Sequence, residues 1–215
     1  MSYEPNDKLD IHFDVEGVGL IIFDKGKSIF ALSKQDYWIQ EKQQDRILIS
    51  YGCVGGKIEQ GETMIKAAIR EAHEEIMTDI EIKSSKKTYL IDLKMSVRFL
   101  EQKRKINPIA IYFVKYPGKP GDPTKTSQSF IGKIYVFFAK LKGDPKPASE
   151  VPAILFTDWE IVQKNIGVYF PLSKFLKHGK IIEQFKIPEN SFLYPMWTPE
   201  IIGKALDCQI LKKLI

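Results

Sequence analysis

Cysteine is nearly absent from this chain: Cys53 and Cys208 are the only two among 215 residues. So few sulfurs exclude a disulfide framework and offer no thiolate metal-ligand spacing. Cys53 stands beside a glycine turn, where a small packed residue and a reactive thiol are the two readings. Histidine is sparse as well, and His12, His73 and His178 are too scattered to recommend any of them as a catalytic base. There is no run of about 18 apolar residues and no charged-then-apolar opening segment, so a soluble, cytoplasmic protein that does not engage a membrane is expected. Repeats and low-complexity tracts are also missing, which excludes a solenoid or a tandem array.

What remains is ample for one core. With 44% hydrophobic residues, the chain suits a single domain with extensions better than two independent ones. The net charge of +5 is unevenly spread. Between Lys83 and Lys105 stand Lys83, Lys86, Lys87, Lys94, Arg98, Lys103, Arg104 and Lys105 against Asp92 and Glu101 alone. That stretch reads either as a solvated lysine-rich surface or as one that attracts the phosphates of a nucleotide or an RNA end.

The most informative segment runs from Gly55 to Glu75, GGKIEQGETMIKAAIREAHEE. On a helix, Glu71, Glu74 and Glu75 fall within an arc of roughly 100° on one face. Three like charges so close repel one another unless a hard cation sits among their oxygens, and Mg²⁺ prefers a few carboxylates together with waters and substrate phosphates. Ile65, Ala68, Ile69, Ala72 and Ile76 recur at three- and four-residue steps, predicting a buried stripe with the acids facing outward. Gly55, Gly56 and Gly61 permit a tight backbone path ahead of the helix, and Glu62 suits the positive end of its dipole. Such a loop turns carbonyls toward a metal and amides toward phosphate. A merely solvated acidic face is the plainer reading, and the glycine turn and Arg70 weigh against it.

Gly56, Glu62, Arg70, Glu71, Ala72, Glu74 and Glu75 stand at the spacing of a known motif: glycine, five residues, Glu, seven residues, then Arg-Glu-apolar-x-Glu-Glu. The segment resembles the Nudix box. It departs at the end, where Met77 and Thr78 replace a glycine and an apolar residue. Because glycine past a helix end usually adopts a left-handed conformation that Met resists, the helix is expected to run on toward Thr78 and Asp79.

The resemblance implies an α/β fold, a Nudix-like α/β/α sandwich with a mixed β-sheet, here carrying a helical C-terminal extension. It implies a divalent-metal-dependent pyrophosphohydrolase that cleaves a nucleoside diphosphate linked to another moiety. Glu71, Glu74 and Glu75 would hold Mg²⁺ or Mn²⁺, with the Gly55 carbonyl completing the shell and Arg70 and Glu62 orienting the acids. On this basis the catalytic set is Glu62, Arg70, Glu74 and Glu75. Gly56, Lys57 and Glu150 are assigned to substrate, with Glu101 and Asp122 as the other acids in loops after the box. A hydrolase acting on RNA 5′ ends and a noncatalytic nucleotide-binding module are the alternatives. RNA and a second copy of the chain stay open as partners.

Along the chain, residues 1–10 read as a loose arm, 11–160 as the main domain and 161–215 as an extension packed on it. Strands are expected at Val15–Phe23, Ser28–Lys34, Ile47–Tyr51, Ile80–Ile82, Thr88–Phe99, Pro108–Tyr116 and Gly132–Leu141. Tyr37, Trp38 and Ile39 interrupt a polar segment and either cover the core or stack a base, covering being favoured. The Pro- and Gly-dense stretch 116–129 reads as an exposed loop suited to a lid or a partner contact. In the tail, Pro171–His178 predicts a short helix. The last helix should begin at Thr198 as its cap, with Phe192, Tyr194 and Trp197 shaping a pocket.

Overall fold

Alternating apolar residues in two long strands build the centre of the molecule. The computed structural model describes residues 11–101, 104–118, 129–148, 150–207 and 211. The expected arm at 1–10, Lys103, Asp122 and Cys208 lie outside them. In β1 (Val15–Asp24), Val18, Leu20 and Ile22 point to one face and Ile21 to the other, as a strand period of two demands. β2 (Lys27–Leu32) returns as a hairpin in the register Ile22 to Ile29. β3 (Ile39–Glu41) pairs with β4 (Arg46–Gly52), which leads through the glycine loop into α1 (Met64–Ile76). Next come β5 (Ile80–Lys83), β6 (Thr88–Ile91), β7 (Val97–Leu100), β8 (Ala110–Pro117) and β9 (Ser129–Leu141). The remainder is β10 (Ala153–Thr157), α2 (Trp159–Lys164), β11 (Phe170–Pro171), α3 (Leu172–Phe175), β12 (Lys180–Glu183), β13 (Ser191–Pro195) and α4 (Thr198–Ala205).

The strands join one mixed sheet in the order β11-β13-β4-β2-β1-β9-β8-β6-β7. β1 runs parallel to β9, and β13 runs parallel to β4, while β2 lies antiparallel to both β1 and β4. One face of the sheet is covered by α1 through Ala67, Ala68, Ala72 and Ile76. The opposite core takes in Trp159 and Val162 of α2, Leu172 and Phe175 of α3, and Ile202 of α4. This is the sandwich the sequence predicts. The C-terminal extension carries the helix α4 and also adds strands to the sheet: β12 pairs with β10, and β13 becomes a neighbour of β4.

Three local expectations need correction. First, the buried stripe of α1 is rotated. Ala67 and Glu71 are buried while Ile69 is 40% exposed and Ile65 only half-buried, because small alanines let the helix settle closely on β1 with Glu71 turned toward the glycine loop. Second, α1 does not run on. It ends at Ile76 with Met77 left-handed at φ 48° and ψ 38°, although Met resists that conformation. The Lys146 N–H donates to the Ile76 carbonyl at 3.0 Å and the Ala148 N–H to the Glu75 carbonyl at 3.0 Å, so a returning strand of chain uses the acceptors that a longer helix would need. Third, Thr198 is not the cap of α4. Trp197 holds that place, and Thr198 Oγ1 is buried 2.9 Å from the Tyr112 hydroxyl, which would otherwise lack a partner.

Candidate active site

The loop from Cys53 to Thr63 is laced along β1. Val18 N–H donates to the Gly56 carbonyl and Leu20 N–H to the Val54 carbonyl, each at 2.8 Å, and Ile58 N–H reaches the Glu16 carbonyl at 3.0 Å. A side chain at Gly55, where φ is +150°, would collide with the Val18 carbonyl; one at Gly56 would strike the Glu71 carboxylate. Both glycines are therefore spacers that let the loop lie between the sheet and α1. Thr63 caps the helix by accepting from the Lys66 N–H at 3.3 Å, so Glu62 stands just before the cap, free for another task.

That task is Arg70. Its Nε and Nη2 donate to the two oxygens of Glu62 at 3.1 Å each, a bidentate fork. Nη1 donates to Glu71 at 2.8 Å and to Glu74 at 2.9 Å, and Nη2 also reaches the Lys57 carbonyl at 2.9 Å. One guanidinium thus ties together the loop and two of the three helix acids. The hydrogen bond from Arg70 holds the Glu62 carboxyl below its ordinary range, and the bond to Glu62 likewise raises Arg70.

The expectation that the acids face outward fails for two of them. Glu71 is 8% exposed, and burial raises its carboxyl despite the opposing pull of Arg70. Glu75 accepts from the Gly55 N–H at 3.1 Å. Burial pushes its carboxyl up to about 8, with the Gly55 bond opposing and the charges of Glu71 and Glu74 adding. Only Glu74 is well exposed. A row of carboxylates held against desolvation and mutual repulsion suits a divalent cation, and its all-oxygen donor set suits a hard one. The acids are not gathered around one point as they stand. Among the described residues no group of three His, Cys, Asp or Glu side chains is drawn together as a metal-holding cluster. Arg70 holds Glu71 and Glu74 and the Gly55 amide holds Glu75, so a bound cation would compete with both.

Glu71, Glu74 and Glu75 open onto a cleft of about 780 Å³, within the range of small-molecule sites. Glu150 lines it from across the cleft and pairs with Lys34, the one basic side chain among the described residues that line it. Lys34 has no place in the motif; the strand expected to run through it ends at Leu32, and this leaves Lys34 at the cleft. Gly56 lies beneath Glu71 and Lys57 is exposed, and neither lines the cleft. Glu101, at the end of the distant strand β7, does not line it either.

The aromatic residues divide. Trp38 covers the core as expected, its Nε1 donating to the Ser33 carbonyl at 2.9 Å. Tyr37 and Ile39 do not: they are 59% and 51% exposed and line the cleft. Tyr194 and Trp197 also line it, whereas Phe192 packs beneath the Arg46 guanidinium at 5.2 Å. Cys53 lines the cleft, but burial and then the charge of Glu75 push its thiol well above the ordinary range. The packed reading fits a thiol kept protonated.

A model described as the NUDIX domain matches residues 15–183. Among solved structures, a NUDIX family hydrolase from Clostridium perfringens is 19% identical with a TM-score of 0.41, the match covering 69% of this chain and 84% of that one. A NUDIX hydrolase from Nitrosomonas europaea is 14% identical with a TM-score of 0.44, covering 76% and 86%. The E. coli dihydroneopterin triphosphate pyrophosphohydrolase is 13% identical with a TM-score of 0.41, covering 72% and 87%. None of the curated proteins matches. With the box residues disposed on the glycine loop and α1 and the domain matched over most of the length, this chain belongs to the Nudix family of hydrolases.

Proposed function

We propose that the cleft hydrolyses the pyrophosphate bond of a nucleoside diphosphate derivative with the help of a divalent cation, Mg²⁺ or Mn²⁺, held by Glu71, Glu74 and Glu75. The observation that carries this reading is the Arg70 clamp, which joins Glu62, Glu71 and Glu74 at the edge of the cleft that Glu71, Glu74 and Glu75 line. A cation bound there would neutralise diphosphate charge and acidify a water for attack on phosphorus.

The protein's own groups have separable tasks. Glu62 keeps Arg70 in place, and Arg70 fixes the rotamers of Glu71 and Glu74. Glu75, raised toward neutrality by burial, can accept a proton near neutral pH when no cation is bound and ionises when one is. Lys34 offers the cleft a positive charge for phosphate oxygens once it parts from Glu150. The Gly55 amide tethers Glu75 to the loop, and its carbonyl would serve as the further oxygen ligand. Positioning and charge stabilisation would supply most of the rate.

The test is phosphate or nucleotide release from nucleoside diphosphate sugars, dinucleoside polyphosphates and nucleoside triphosphates, with Mg²⁺ and with a chelator. Chelator-sensitive turnover of at least one member is the expected result. Turnover unaffected by the chelator would remove the cation from the proposal.

A further inference from the structure

The matched domain stretch ends at residue 183, yet part of the cleft wall comes from beyond it: Tyr194 and Trp197 belong to β13 and the turn into α4. Trp197 stands at φ 59° and ψ −117°, a conformation that glycine adopts freely and tryptophan does not. Strain of this kind persists where the surroundings over-determine it, and it clusters at ligand sites. A glycine would relieve it at once, so the strained position is occupied by a residue with a large ring. The Trp197 ring is half-buried, backed by Tyr116 at 4.5 Å between centroids, and Tyr116 in turn stacks on Phe130 at 4.9 Å. Three rings in series make a stiff support for a flat ligand.

The aromatic part of the cleft lining differs in chemistry from its acids. Tyr37, Ile39, Tyr194 and Trp197 carry no charge. An uncharged wall of flat rings suits a planar heteroaromatic group rather than phosphate.

We propose that the C-terminal segment builds a nucleobase subsite in which Trp197 and Tyr194 stack the base of the substrate, so that the extension sets which diphosphates this protein accepts. This rests on the hydrolase reading for the phosphate end of the cleft, but it can be measured without any hydrolysis. The probes are AMP and ribose 5-phosphate, which share a phosphate and a ribose and differ by the base, titrated calorimetrically into the full chain with Mg²⁺ present. Wild type should bind AMP at least about tenfold more tightly than ribose 5-phosphate, the scale of one base-aromatic stack.

Trp197→Gly removes the ring and suits the backbone, so folding should survive. It should abolish that difference while leaving ribose 5-phosphate affinity unchanged. Trp197→Phe should keep AMP affinity within about threefold, and Tyr194→Ala should weaken AMP selectively. Equal affinity of wild type for the two probes would overturn the subsite. So would a Trp197→Gly loss shared equally by both, since the ring would then be shaping the cleft instead of holding the base. A chain that distinguishes AMP but turns over no member of the diphosphate panel would retain the subsite and lose the hydrolase reading.

Discussion

At the scale of single residues, the arrangement is an electrostatic compromise centred on one arginine, the buried Glu71 and the half-buried Glu75. Replacing Glu74 or Glu75 by Gln should cost at least about a hundredfold in turnover, as removal of a charged group at a reacting centre commonly does. Circular dichroism should show the fold unchanged, and turnover within a few-fold of wild type would remove these acids from the metal assignment. In Glu75 the folded carboxyl titrates near 8 against an ordinary value of 4.5, so the folded state binds more protons than the unfolded state between those pH values. The contribution of Glu75 to stability is thus present at the acidic end of that window and lost as pH rises through it. The melting temperature of chelator-treated protein should fall between pH 5 and 8, and Glu75→Gln should flatten that fall. A slope unaltered by the substitution would place its cause elsewhere. Met77→Gly tests a different residue-level cost. With φ at 48°, glycine should stabilise the helix end by about 0.5 kcal/mol in urea denaturation, the strain relieved being larger than glycine's added unfolded-state entropy. Turnover should stay the same, because Met77 is not among the residues that line the cleft. A rate loss matching that of the glutamate variants would show that the departure from the box is not peripheral.

Among the elements, what could be read in advance depended on whether the signal was local. The β1–β2 hairpin, β4 and α1 follow from alternation, turn residues and helical spacing, and they appear where expected. The rotation of α1 was not legible, because it depends on how closely Ala67 and Ala68 approach β1 and on Arg70 allowing a carboxylate to be buried at position 71. Nor could the sequence place Tyr37 and Ile39 at the cleft: an exposed aromatic and a core aromatic look alike until the partner surface is known. The basic stretch shows the same limit. Lys86, Lys87 and Arg98 lie on or beside the β6–β7 hairpin at the far edge of the sheet, and no described residue between Lys83 and Lys105 lines the cleft. Changing those three to Gln should therefore leave small-nucleotide turnover within about twofold. If the surface holds RNA, the same change should weaken that binding and flatten its salt dependence, by about 0.7 in log K per decade for each lost single-strand contact. Abolished nucleotide turnover in a folded variant would put these cations in the active site.

At the scale of the whole molecule, the division into a main domain and a packed extension is the point most open to a direct test. Helical patterning from Thr198 onward was visible, though α4 stops at Ala205, short of the apolar positions that continue the pattern to Leu214; the parallel pairing of β13 with β4 was not, since the two strands are separated by most of the chain and nothing local records their register. That pairing makes the extension an integral part of the sheet. Cutting the chain after Glu183, where the matched domain ends, would leave one side of β4 unpaired and remove Leu193, Ile202, Leu206 and Leu211 from a core in which each is at most 2% exposed. At about 1.5–3 kcal/mol for each buried apolar side chain, the loss is about 6–12 kcal/mol, comparable to the whole stability of a typical domain. The exposed edge of β4, carrying Ile47, Leu48 and Ile49, would also be free to pair with other chains. The truncated protein is expected to be insoluble, or soluble without a cooperative melting transition, instead of a smaller working hydrolase. Calorimetry of the purified fragment decides: a sharp two-state transition with chelator-sensitive turnover would show that residues 15–183 fold by themselves and that the tail is an accessory.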